Sequence, residues 1–106
     1  MQRWVEVAAL RDLPPGEKLG CKVGTKEVAL FNVEGRVFAV EDYCPHFGAA
    51  LSEVGHVKGC EVVCVLHGAR FDLESGKVLA DPAERDIASY ETRVEGGRIF
   101  VALPAE

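Results

Sequence analysis

Apolar and β-branched side chains recur along this chain in runs of five to seven residues, each run closed by a glycine-containing turn. Runs that short, without the 3.6-residue period of an amphipathic helix, predict strands. The expected strands are residues 4–7, 17–23, 27–33, 36–40, 61–65, 70–73, 89–94 and 98–103. Between them, Gly24-Thr25, Glu34-Gly35, Ser75-Gly76 and Gly96-Gly97 supply residues that tolerate the positive φ of tight turns. The segment 89–94 alternates strictly, with Tyr90, Thr92 and Val94 on one face and Ser89, Glu91 and Arg93 on the other. That is the pattern of one half-buried strand. No repeat, linker or low-complexity segment interrupts the rhythm, so the chain is expected to be one all-β domain over residues 1–106.

Residues 44–70 break the pattern, being rich in Gly, Cys, His and small side chains. An irregular segment held between strands is where a rigid sheet displays functional groups. Composition narrows the chemistry. A chain of 106 residues buries enough core to fold without a disulfide or metal staple, so a metal would serve function. Seventeen acidic against 12 basic residues give a net charge of −5, which repels nucleic acid and anionic membranes and suits basic protein partners. No apolar stretch reaches the roughly 20 residues that cross a bilayer, and the opening segment has no charged head before an apolar run. A cytoplasmic location is therefore expected. In a reducing compartment four cysteines interspersed with histidines read as metal ligands or buried thiols before they read as disulfides.

Two pieces of the irregular segment stand out. Cys44-Pro45-His46 is followed, after 17 intervening residues, by Cys64-Val65-Leu66-His67-Gly68. Each offers one thiolate and one imidazole. A structural zinc site would be satisfied by two Cys and two His, but it typically takes a pair of cysteines and then a pair of histidines. Here the types interleave. A two-iron cluster accounts for that order better, since each loop can give its Cys to one iron and its His to the other.

The four-ligand pattern, continued by Ala69-Arg70-Phe71-Asp72 and Ser75-Gly76-Lys77, resembles the Rieske ferredoxin family over nearly the whole chain. The resemblance implies a Rieske-type antiparallel β-sandwich with an inserted cluster-binding loop subdomain at about residues 44–72. It also implies one [2Fe-2S] cluster, with Cys44 and Cys64 on the inner iron and His46 and His67 on the outer one. Val65 departs from the proline that usually follows the second cysteine. Where high-potential members carry an extra disulfide and hydroxyl donors, this chain has Ala49, Leu66, Ala69 and Phe71. The potential is therefore expected at the low end of the Rieske range, about −150 mV. Two ferric ions, two sulfides and two thiolates sum to zero with neutral histidines, so reduction adds charge to a neutral centre.

The function implied by the resemblance is that of a soluble one-electron carrier, not an enzyme, between a flavin-dependent ferredoxin reductase and a terminal oxygenase or other redox enzyme. Two other readings stay open: the small redox subunit of an NADH-dependent nitrite reductase-like enzyme, and a zinc-stabilised interaction module. No nucleophile with a base and no phosphate-cradling loop points to catalysis. Pro45, Phe47, Gly48, Ala49, Leu66 and Gly68 are expected to form a small apolar tip, with Glu41, Asp42 and Glu53 near its rim. His56, in a turn without a Cys at motif spacing, is expected in solvent. Cys21 and Cys60 are expected as free thiols, against an all-cysteine site built from Cys21, Cys44, Cys60 and Cys64.

Overall fold

The computed structural model describes residues 2–23, 26–43, 50–64, 69–80 and 86–104. The strands run β1 (Gln2–Ala9), β2 (Lys18–Val23), β3 (Lys26–Val33), β4 (Arg36–Glu41), β5 (Gly55–Lys58), β6 (Glu61–Cys64), β7 (Arg70–Asp72), β8 (Val78–Ala80), β9 (Ser89–Tyr90), β10 (Thr92–Glu95) and β11 (Arg98–Pro104). A 3-10 turn (Leu10–Asp12) and a single helical turn, α1 (Leu51–Val54), are the only helical pieces among the described residues. The expected all-β architecture is what forms. The strands make three antiparallel sheets in the orders β1-β11-β10, β2-β3-β4-β9 and β5-β6-β7-β8.

The middle sheet explains the unbroken apolar runs of β3 and β4. Successive side chains of a strand point to opposite faces, and here both faces are covered. Ala29, Phe31, Phe38 and Val40 pack with Leu51, Val62, Phe71 and Leu73 of the half that carries α1 and β5 to β8. Val28, Leu30, Val37 and Ala39 pack with Leu13, Ile99, Val101 and Leu103 on the opposite side. A strand buried twice loses the polar alternation that a half-buried strand keeps. The one polar side chain inside these runs, Asn32, is 3% exposed and fully engaged. Its amide donates to the Leu13 carbonyl (2.8 Å), and its side-chain oxygen accepts from Gly35 N–H (2.8 Å).

The hairpin turns follow the expected chemistry. Glu34 and Gly35 have φ of 53° and 94°, and Gly96 and Gly97 have 57° and 75°, the paired left-handed conformations of a two-residue hairpin turn. The turn at Gly24-Thr25 lies outside the described residues.

Three expectations need correction. The strictly alternating segment 89–94 is not one strand. It changes sheets at Glu91, so that Ser89 and Tyr90 pair with β4 while Thr92 to Glu95 pair with β11. Thr92 Oγ1 donates to the Val37 carbonyl (2.7 Å) at the crossing. Alternation reports which face a side chain takes, not which neighbour the backbone takes. The other two corrections are β5 and β8, which were not expected. Both are three or four residues long and read Gly-His-Val-Lys and Val-Leu-Ala, too short for a periodic signal.

Candidate metal centre

Both segments that hold the candidate ligands leave from strands, the first returning to α1 and the second to β7. The first leaves β4 through Asp42 and Tyr43 and returns at Ala50, one residue before α1. Its two feet are tied directly to each other. The Asp42 carboxylate accepts from Ser52 N–H (2.7 Å) and from Ser52 Oγ–H (2.6 Å), while Asp42 N–H donates to the Glu27 carbonyl (3.0 Å). The clamp sits against Gly20 of β2, where a Cβ would come within 2.5 Å of Ser52 Oγ and 3.0 Å of Asp42 Oδ2. Gly20 is therefore required by close approach, not by backbone angle. Cys44 and His46 belong to residues 44–49, which lie outside the described residues.

The second loop is tied as tightly. Cys64 ends β6 with no exposed surface, among Leu51, Val62, Ala69 and Phe71. Its N–H donates to the Ala69 carbonyl across the loop (2.8 Å), which closes the feet of segment 65–68. His67 lies in that segment, outside the described residues. The two feet also meet each other, because Gly55, four residues past Leu51, pairs in register with Cys64. Lys18, on β2, reaches this junction: its ammonium donates to the carbonyls of Gly55 (2.6 Å) and Glu53 (3.2 Å). Neither Ser52 nor Lys18 was singled out from the sequence, since a clamp spanning 10 residues and a tether spanning 37 leave no local pattern.

The remaining candidates separate from this junction. His56 is exposed on β5 opposite Val63. Cys60 is exposed at the β5-β6 turn, at the far end of β6 from Cys64 and about 13 Å from it at the rise of an extended strand. Cys21 packs in the opposite core from Cys64, and its thiol donates to the Val28 carbonyl (3.6 Å). Burial, reinforced by the Asp42 carboxylate, pushes that thiol up to about 11, so it stays protonated at neutral pH. These placements exclude an all-cysteine site containing Cys21, Cys60 and Cys64 together. Among the described residues no group of three His, Cys, Asp or Glu side chains could hold a metal. Accordingly, Cys21→Ser, Cys60→Ser and His56→Ala are each expected to retain the full iron content of the parent chain, measured by colorimetric iron assay. Loss of iron in any one of them would revive a site that includes it.

The expected apolar tip of Pro45, Phe47, Gly48, Ala49, Leu66 and Gly68 lies outside the described residues, but two of the acids expected near its rim are engaged elsewhere. Asp42 is only 8% exposed and serves as the loop clamp. The Glu41 carboxylate accepts from Ala88 N–H (3.0 Å). Glu53 alone of the three is exposed.

The donor chemistry fits an iron-sulfur cluster. Cys64 is a buried thiol in apolar surroundings at the base of a loop, where a thiolate is accommodated by bonding to a metal and not by hydration. Comparison with known proteins agrees. The sequence profile of the Rieske [2Fe-2S] domain matches residues 3–91. Over 102 residues the chain is 39% identical to the ferredoxin component of the naphthalene 1,2-dioxygenase/salicylate 5-hydroxylase systems of Ralstonia sp., covering 96% of this chain and 97% of the relative. Its structure is similar to a chain in the complex of reduced oxygenase and oxidized ferredoxin of carbazole 1,9a-dioxygenase, with a TM-score of 0.83 and 32% identity, covering 93% of this chain and 92% of that one. It also resembles the putative NADH-dependent nitrite reductase small subunit from Mycobacterium tuberculosis, with a TM-score of 0.83 and 32% identity over 100% of this chain and 99% of that one. No helix among the described residues is long and apolar enough to cross a membrane.

Proposed function

This chain belongs to the Rieske [2Fe-2S] domain family, and on that premise we propose that it is a ferredoxin delivering single electrons from a flavin-dependent reductase to a terminal oxygenase in the cytoplasm. Cys44 and Cys64 hold one iron of a single [2Fe-2S] cluster, and His46 and His67 hold the other. The cluster supplies one-electron storage; the chain supplies its housing. The observation that carries this reading is the junction at Cys64: a wholly buried thiol whose strand partner, Gly55, stands just past the end of the first loop. That pairing supports the reading by drawing the described ends of the two motif-bearing segments together. The cluster-binding unit then comprises about residues 44–72, carried on the single domain of residues 1–106.

The carrier reading is preferred to a fixed nitrite reductase subunit because the Ralstonia relative, the more similar in sequence, is named as a ferredoxin component. Electron paramagnetic resonance of the dithionite-reduced protein tests ligation: mixed His/Cys ligation gives a lower average g value than four cysteines. An all-cysteine spectrum, or a colourless zinc-loaded chain, would overturn the assignment. Reduction of a dioxygenase by the photoreduced carrier, followed by stopped flow, tests the role.

The potential is set low by missing donors. Ala69 and Phe71 are both fully buried beside Cys64, with no hydroxyl to offer. A donor aimed at sulfur stabilises the reduced cluster more than the oxidised one, because the added electron raises the negative charge there. With a differential worth of about 1 kcal/mol for each hydroxyl, Ala69→Ser and Phe71→Tyr are each expected to raise the potential by about 40 mV. Protein-film voltammetry checks this, and an unchanged or lower potential in both, with the cluster intact, would assign the low potential to solvent or backbone donors.

A further inference from the structure

We infer that Lys18 is a positioning residue that biases the redox equilibrium of the cluster toward the reduced state, an inference that rests on the ligand assignment above. The side chain crosses from β2 to the junction of the two loops and ends in a defined seat, 2.6 Å from the Gly55 carbonyl and 3.2 Å from the Glu53 carbonyl. Those carbonyls belong to the chain just past the first loop, and Gly55 stands directly opposite Cys64.

Two properties make this seat more than a tether. Among the described residues the ammonium forms no ion pair with a carboxylate. Residues opposed across an antiparallel pair have Cα atoms about 5 Å apart, which places the charge within about 10 Å of the Cys64 backbone. Reduction turns a neutral cluster into an anionic one. A fixed cation nearby lowers the free energy of the second state and leaves the first nearly unaffected. The acids nearby, Asp42 held by Ser52 and the exposed Glu53, are present in every variant and leave the difference between variants to residue 18. Lys18 is exposed, and at low ionic strength, where screening is weakest, a charge at that distance shifts a one-electron equilibrium by up to about five-fold.

The test compares Lys18→Met, Lys18→Gln and Lys18→Arg in the full chain carrying its cluster. Methionine removes charge and donors, glutamine keeps donors without charge, and arginine keeps both. At low ionic strength Met and Gln are expected to shift the ratio of oxidised to reduced cluster by up to about five-fold toward oxidised, which is about 40 mV by the one-electron conversion. Arg is expected to stay within about two-fold of the parent by the same electrostatics, and the g values are expected to stay unchanged in all three. Equal potentials in all three variants with iron retained would overturn the inference. So would loss of iron in both Met and Gln, which would make Lys18 a structural tether only. The spectrum of the parent chain separates this inference from the ligand assignment: if the parent lacks a mixed-ligand signal, it is that assignment that fails.

Discussion

Cys64→Ala is expected to give a folded, colourless chain whose iron content falls from two atoms per cluster to near zero. Cys64 has no exposed surface and packs among Leu51, Val62, Ala69 and Phe71, so alanine leaves a void the size of one sulfur. Shortening a buried side chain by one heavy atom costs about 1 kcal/mol, well short of the stability of an ordinary domain. The backbone bond from residue 64 to the Ala69 carbonyl does not need the thiol. Far-ultraviolet circular dichroism should therefore match the parent, while visible absorbance and the reduced-state resonance signal disappear. A milder companion is His67→Cys, which keeps a ligand but adds a thiolate. There the potential is expected to fall by about 100 mV, roughly half the separation between a low-potential Rieske cluster and an all-cysteine one, since one of two imidazoles is replaced. A Cys64→Ala chain that kept its iron and its spectrum would remove Cys64 from the ligand set.

Gly76→Ala should destabilise the fold by about 3 kcal/mol, with a melting temperature lower by roughly 12 °C. Gly76 sits at φ +76°, where any side chain is strained, and a Cβ there would collide with the Ile87 carbonyl oxygen. Relieving the collision means breaking short bonds: Gly76 N–H to the Asp72 carbonyl (2.7 Å) and Ile87 N–H to the Gly76 carbonyl (2.8 Å). Ile87 is a core residue that packs with Leu73 and Phe71, so the displacement reaches the cluster-side core. Gly35→Ala is the control. Gly35 has φ +94° but no atom within 4 Å of the added Cβ, and only the conformational strain of about 1 kcal/mol applies. Equal melting temperatures for the two variants would show that the turn at Gly76 relaxes freely.

What could be read in advance divides along the range of the interactions. Hairpins are local, so Glu34-Gly35 and Gly96-Gly97 were legible as turns and their flanking runs as strands. The motif stood out because it combines a residue type with a spacing, and of its four residues only Cys64 lies among the described ones. The sheet change at Glu91 was not, since the alternation of residues 89–94 is the same whether the backbone pairs with β4, with β11 or with each in turn. Asp42 looked like a surface acid because its partner, Ser52, lies beyond the loop it closes. The strand expected over residues 61–65 already set Cys60 and Cys64 at opposite ends of an extended segment, and β6 (Glu61–Cys64) keeps them there. Gly20 was not singled out, because the Ser52 side chain that requires a glycine there lies 32 residues further along the chain.

The clamp across the first loop and the backbone bond across the second bear on speed as well as shape. Electron transfer between two proteins is slowed by whatever atoms must shift when charge moves, because those shifts have to occur before the electron crosses. A loop free at its base would settle differently around each oxidation state and would drag neighbouring dipoles with it. Here the Ser52 hydroxyl and amide hold Asp42, and the Cys64 amide holds Ala69, through bonds none of which involves a metal. Because they join protein groups only, they are expected to persist when the electron arrives. The fold thereby confines its rearrangement to the immediate surroundings of the irons, and a small reorganisation energy, with rapid self-exchange between oxidised and reduced copies, is the kinetic counterpart of those short bonds.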